Sequence, residues 1–211
     1  MIIESIKRLE KKPGKFIALF EDGTQINVSA VQIADFGLYS GRELSDDEFL
    51  QLREELCLSS SKARAIRILG NRDLSAREVE RRLVDKGEPQ EIAQKTVRWL
   101  ESIGAINDGK YAVAIVKHYC AKGYGNARIK DELYRRGIAR DMWEDAFCDA
   151  LSGIDNMGEA VNDFLEKKLK GSRDPADIRR ATDTLCRRGF SYEEARTAVS
   201  QYFDTIEDNE E

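Results

Sequence analysis

A leucine and a glycine four residues apart recur three times along this chain, as Leu83 and Gly87, Leu133 and Gly137, and Leu185 and Gly189. The first two pairs close segments that open in parallel fashion, with Ser75-Ala-Arg-Glu78 and, fifty residues on, Gly125-Asn-Ala-Arg128. Ten positions beyond each glycine stands another apolar residue: Val97, Phe147 and Val199. A glycine that ends a helix and is followed by a second helix in the same register marks one unit of a repeat. Units of this kind bury their apolar faces on their neighbours, so the core runs along an axis and function belongs on the surface of the array. Units at 59–106, 107–154 and 155–203 follow, with 1–58 before them and an acidic tail at 204–211.

The N-terminal segment reads differently. Phe16–Phe20 and Gln25–Ser29 flank Glu21-Asp22-Gly23-Thr24, a hairpin signal, and Ile2–Lys7 adds a third strand. A short helix is expected over Val31–Leu38, and Ser45-Asp-Asp-Glu48 is a capping box opening a helix through Phe49, Leu52 and Leu56. The first unit is expected to begin after Ser59-Ser-Ser61, its first helix marked by Ala65, Ile66 and Leu69 and broken at Asn71–Asp73. Its third helix starts near Pro89 and turns Ile92, Thr96, Trp99 and Ile103 inward. In the second unit Tyr111, Ile115 and Tyr119 form a buried stripe, and Asp141 caps a helix that buries Met142, Ala146 and Phe147. In the third, Val161, Phe164 and Leu165 face the core, Asp174-Pro175 opens the second helix, and Ser191–Glu194 caps the last.

The formal net charge of −5 conceals a segregation of sign. Residues 61–140 carry 18 bases against 10 acids, whereas 141–211 carry 9 against 18 and 1–60 carry 7 against 11. A basic middle between acidic ends suits an anionic partner while the molecule stays acidic. No apolar run reaches the length of a membrane span and the N-terminus lacks signal-peptide character, so a cytoplasmic protein is expected. The four cysteines are scattered without a close pair, which reads as buried thiols and not as a zinc site.

Catalytic signatures are missing. The single histidine, His118, stands beside Tyr119 with no ligand or nucleophile spacing, and Gly123-Tyr-Gly125 has neither the preceding strand nor the third glycine of a dinucleotide site. No enzyme activity, metal or cofactor is expected. The bases are the informative residues: Arg72, Arg77, Arg81 and Arg82 around the second helix of unit one, and Lys122, Arg128, Lys130, Arg135 and Arg136 around that of unit two. Arg179, Arg180, Arg187 and Arg188 recur in unit three. Apolar residues turn inward, so most of these bases face out, where they can hold phosphates or an acidic protein surface.

Ala65-Ile-Arg-Ile-Leu, Ser75-x-x-Glu78-x4-Leu83-x3-Gly87 and Trp99-Leu-x3-Gly104-Ala-Ile-Asn-Asp108 together resemble the RecX family of recombination regulators. So do Tyr111-Ala and Gly123-Tyr-Gly125-x3-Ile129-x3-Leu133-x3-Gly137-Ile138. The likeness spans about residues 60–203, and Asp35-Phe-Gly-Leu38 with Gly41-x-x-Leu44-Ser45 is similar to an extension found in some Gram-positive members. The resemblance implies a mainly α fold of three tandem three-helix, helix-turn-helix-like repeats in an elongated curved array. It also implies a monomeric, non-enzymatic modulator that lies in the groove of the RecA–single-stranded DNA filament. There it inhibits the ATPase and strand exchange in recombination and DNA repair. Two features depart from the family pattern, the acidic net charge and Asn107 where Asp is usual.

Two other readings use the same residues. A helix-turn-helix protein on duplex DNA would read bases with Asn126 and Arg128. An α-solenoid that binds peptides is the other, tested by whether binding survives high salt.

Overall fold

The computed structural model describes residues 1–10, 13–70, 72–152 and 156–208. Strands β1 (Ile3–Arg8), β2 (Lys15–Phe20) and β3 (Gln25–Ser29) form an antiparallel sheet in chain order, with the β2–β3 turn at Gly23. Helix α1 (Ala30–Asp35) follows directly, capped by Ser29 and Gln32. Sheet residues Ile3, Ala18, Phe20 and Val28 close over Leu38, Leu44 and Leu52 in one small core.

Leu52 belongs to α2 (Asp46–Leu69), and here the structure differs from the sequence expectation. The run Ser59-Ser-Ser61 is no break. A single 24-residue helix serves the sheet with its first half and the first repeat, through Ala65, Ile68 and Leu69, with its second. Serine is a neutral helix residue whose hydroxyl can be satisfied elsewhere. Ser61 is fully buried and accepts a hydrogen bond from the Thr96 hydroxyl at 2.9 Å. The helix stops at Gly70.

Unit one continues with α3 (Ala76–Val84) and α4 (Gln90–Ser102), unit two with α5 (Asp108–Cys120), α6 (Asn126–Arg136) and α7 (Trp143–Leu151), and unit three with α8 (Asn156–Leu169), α9 (Pro175–Arg187) and α10 (Tyr192–Asp208). Each has its own core, around Leu83 and Leu100, Ile129 and Leu133, and Leu165 and Leu185 respectively. The accessible surface is 13658 Å² for 24.0 kDa. A compact monomer of that mass would expose about 10,000 Å². The molecule is therefore extended, as separate cores strung along an axis require.

Several local expectations change. Asp141 lies inside a 3-10 turn, Arg140–Met142, and caps nothing, while Met142 and Ile103 face solvent. Ile115 is buried, but Tyr111 and Tyr119 are only half-buried because their hydroxyls reach a polar network. Asp204–Asp208, read as part of a tail, are the last turn of α10, and 209–211 lie outside the described residues. Asn107 fills its position as an aspartate would, its Oδ1 accepting the Lys110 amide at 2.9 Å as the N-cap of α5.

Candidate functional site

The middle helices α3, α6 and α9 stand head to tail, and the joints between them define the surface. Position three after the buried leucine is Lys86, Arg136 and Arg188 in successive units. At the first joint the Arg136 carbonyl accepts the Ser75 hydroxyl at 2.5 Å, and the same hydroxyl accepts the Glu78 amide at 3.1 Å in the capping box. Asp108 accepts the Ala76 amide at 2.9 Å, and burial pushes its carboxyl above its ordinary value. At the second joint the Arg188 carbonyl accepts the Gly125 amide at 2.9 Å, and the Gly189 carbonyl accepts that of Ala127 at 3.1 Å. At the second joint the carbonyl end of α9 thus satisfies amides at the start of α6, whereas at the first the carbonyl end of α6 accepts the capping hydroxyl of α3.

This geometry sets the glycines. A Cβ on Gly125 would lie 2.4 Å from the Gly189 carbonyl, and one on Gly189 would lie 2.4 Å from the Arg128 amide nitrogen. Gly189 also holds φ +97. At the first joint the Arg77 stem lies on Gly137, whose Cβ would fall 2.5 Å from Arg77 Cδ.

The first joint opens outward into a cleft of about 510 Å³ between α3 and α6, lined by Arg77, Arg81, Arg135 and Arg136. Glu78, Glu80 and Asp85 face them, with Tyr134, 64% exposed, and Val84 at the rim. Two of the arginines are committed to a buried carboxylate. Glu132, 2% exposed, receives Arg135 at 2.5 Å and Arg136 Nε at 2.8 Å. Burial alone would raise the Glu132 carboxyl, but the two guanidinium groups together outweigh it and hold it below the ordinary value. Arg136 also bonds the Tyr111 hydroxyl and stands 3.8 Å from Glu78. It is chiefly a structural residue of the joint, whereas Arg77, Arg81 and the outer edge of Arg135 reach solvent. A cleft that mixes guanidinium groups, carboxylates and an exposed tyrosine suits a protein surface better than a bare phosphate chain.

The remaining bases predicted from sequence are not in this cleft. Arg72 lines a shallow depression with Ile66 and Asp73. Lys122, Arg128 and Lys130 are exposed on and before α6, and Arg128 abuts the second joint through its backbone. Arg188 is stacked on Phe164, 4.1 Å from the ring centroid, and 5.8 Å from that of Tyr124. Arg82 faces another way, into an open depression of about 650 Å³ shared with Arg64, Arg67, Ile68 and Lys86. Sequence reasoning missed this group because it treated the end of α2 as an apolar segment. Arg64 and Arg67 three residues apart, and Arg82 and Lys86 four apart, were the signal.

Among the described residues no group of three or more His, Cys, Asp or Glu side chains could hold a metal, and no helix is long and apolar enough to cross a membrane. The fold defines a class, a mostly helical repeat protein with a small antiparallel sheet at its N-terminal end. Models of the first and second three-helix domains of RecX match residues 62–100 and 107–146. Regulatory protein RecX of Streptococcus sanguinis strain SK36 is 27% identical over 97% of this chain and 79% of its own length. Those of Pseudomonas putida strain F1 and Xanthomonas axonopodis pv. citri strain 306 are 30% and 31% identical, over 60% and 64% of this chain and 80% and 83% of their own lengths. The chain belongs to the RecX family of regulatory proteins. Two crystal structures share its fold: a regulatory protein RecX, at a TM-score of 0.75 and 17% identity over 96% of this chain and 98% of that one, and RecX from Lactobacillus salivarius, at 0.62 and 22% over 71% and 97%.

Proposed function

We propose that this regulatory protein acts on the RecA–single-stranded DNA filament, lying in its groove and lowering its ATPase and strand exchange. The observation that carries the reading is the extended head-to-tail array with an arginine-lined cleft at its first joint. An array of separate cores can span neighbouring subunits of a helical filament. If it binds one filament state better than another, it shifts the equilibrium by that difference in affinity. Arg77, Arg81 and Arg135 make the central contact, and Arg128 and Lys130 extend it along α6. Arg136 holds the cleft's shape. The protein acts in the cytoplasm as a non-enzymatic inhibitor in recombination and DNA repair. Any contact with single-stranded DNA within the filament is weak, since the chain is acidic overall.

The duplex-reading alternative needs the first turn of a recognition helix to enter a groove. The first turns of α3 and α6 are occupied by the joints, which weighs against it.

The test is the single-stranded-DNA-dependent ATPase of the cognate recombinase, titrated with wild type and with Arg77→Glu/Arg81→Glu/Arg135→Glu. Wild type should suppress the rate, and the triple variant should need roughly tenfold more protein for the same suppression, as lost charge complementarity commonly requires. Equal suppression by both proteins would move the contact elsewhere. No effect of wild type, with no binding to the filament, would overturn the reading.

A further inference from the structure

The joint rule leaves one face unused. In units two and three the carbonyl just before the closing glycine accepts a donor from the preceding unit. In unit one the same carbonyl, that of Lys86, has no preceding unit and accepts Arg64 Nη1 at 3.0 Å instead. Arg64 also pairs with Glu88 at 3.2 Å. Around this plugged end lie Arg67, Arg82 and Lys86, which line a depression with Arg64 and Ile68, and Glu88 on Arg64 is the carboxylate beside it.

The opposite end of the array has the complementary sign. The start of α9 meets the end of α10 through Arg173 and Glu207 at 2.5 Å. Asp174, Asp177, Asp204 and Glu207 stand there with Arg173, and Arg180 on the next turn pairs with Asp177. Lys167 and Lys168 in the last turn of α8, and Lys170 just beyond it, lead into them. Residues 141–211 as a whole hold 18 acids against 9 bases. The helix start that would continue the head-to-tail series is also closed. Asp174 accepts the Ala176 amide at 3.0 Å, and Pro175 offers no N–H.

We infer that the basic end face of unit one receives the acidic outer end of unit three from a second copy of this chain, so that copies associate end to end and continue the internal series. The backbone donors and acceptors of the internal joints are already used at both outer ends. Charge therefore replaces the backbone bonds, and the contact is weak and salt-sensitive. An acceptor end and a different donor end make a heterologous contact, which grows as an open row. A row forms where a shared scaffold concentrates the copies, and single molecules prevail when the chain is dilute. The depression has no aromatic side chain on which a base could stack, which favours a protein occupant over single-stranded nucleic acid.

The full chain is followed by sedimentation velocity across a concentration series, at about 50 mM and about 500 mM salt, either side of the ionic strength at which surface charges are screened. Wild type should show a weight-average mass that climbs with concentration at low salt, and a monomer at high salt. Arg67→Glu/Lys86→Glu should abolish the climb, as should Asp204→Lys/Glu207→Lys. An equimolar mixture of the two variants should restore association, because reversed ends match each other. Both pairs are exposed, and circular dichroism verifies that each variant is folded. A wild-type monomer at every low-salt concentration overturns the proposal, and so does association that neither variant disturbs. A monomeric wild type whose oligonucleotide binding is lost in Arg67→Glu/Lys86→Glu overturns it too, and assigns the face to nucleic acid.

Discussion

One side chain at a repeated position does different work in each unit. Arg136 bridges Glu132, Glu78 and Tyr111, Arg188 stacks on Phe164 and Tyr124, and Lys86 faces solvent. Of these, Arg136 carries the most: its pair with the almost wholly buried Glu132 lies within α6 and fixes the guanidinium that faces Glu78 of α3 across the first joint, and removal of either partner leaves an unmatched polar group. Glu132→Gln should cost about 1–3 kcal/mol, less than for a fully buried pair because both arginines are partly exposed. The pH dependence follows from the lowered carboxyl. The folded state holds the proton less tightly than the unfolded one, so the stabilisation is complete above the ordinary glutamate value of 4.5 and is lost as pH falls through the lower folded value. Thermal melts should show a constant gap between wild type and Glu132→Gln from neutrality down to about pH 5, closing with further acidification. A gap that widens in acid would mean that Glu132 is not stabilised as a carboxylate.

At the scale of elements, the joints are backbone contacts as much as side-chain ones. Gly125→Ala places a methyl where the Gly189 carbonyl sits, with no flexible side chain to yield. The joint must open, at a cost of about 1–3 kcal/mol. Gly87→Ala is the control: its φ is +87 but nothing lies within 4 Å, so it carries the left-handed backbone penalty of roughly 1–2 kcal/mol and leaves the array intact. Small-angle scattering should show a changed maximum dimension for Gly125→Ala and an unchanged one for Gly87→Ala. If the two profiles coincide, the second joint does not depend on close backbone approach. This contrast also marks what was legible. The capping boxes at Ser45, Ser75 and Ser191, the Asp-Gly hairpin and the helix-ending glycines express contacts within a few residues of sequence. The bonds from Ser75 to Arg136 and from Gly125 to Arg188 cross more than sixty residues between carbonyls and donors that carry no sequence signature. For that reason Gly137 and Gly189 read simply as helix stops, and Arg136 read as a free base. The continuity of α2 was hidden likewise, because the Ser61–Thr96 pair that satisfies its hydroxyls forms only once α4 is in place.

For the molecule as a whole, separate cores joined by small polar contacts predict unfolding in parts, as in a one-dimensional array. The joints are unequal. The first combines the Ser75, Asp108 and Arg136 contacts, and unit one is also tied to the sheet by the continuous α2. The second rests on two backbone bonds, a long bond from Arg188 to the Lys122 carbonyl at 3.5 Å and the contact of Arg188 with Tyr124. Unit three is therefore the part that leaves first. The chain supplies its own reporters, because its two tryptophans, Trp99 and Trp143, lie in units one and two, whereas helices of all three units contribute to circular dichroism. In a denaturant titration the circular dichroism transition should begin before that of tryptophan fluorescence. Arg188→Ala removes the stacking, worth about 0.5–2 kcal/mol, and should move the early part of the dichroism curve to lower denaturant while the fluorescence midpoint shifts much less. Superimposable curves for both proteins would mean that the three cores unfold as one. An early, separate loss of unit three would mean that the trailing end of the array can yield while the cleft between α3 and α6 keeps its shape.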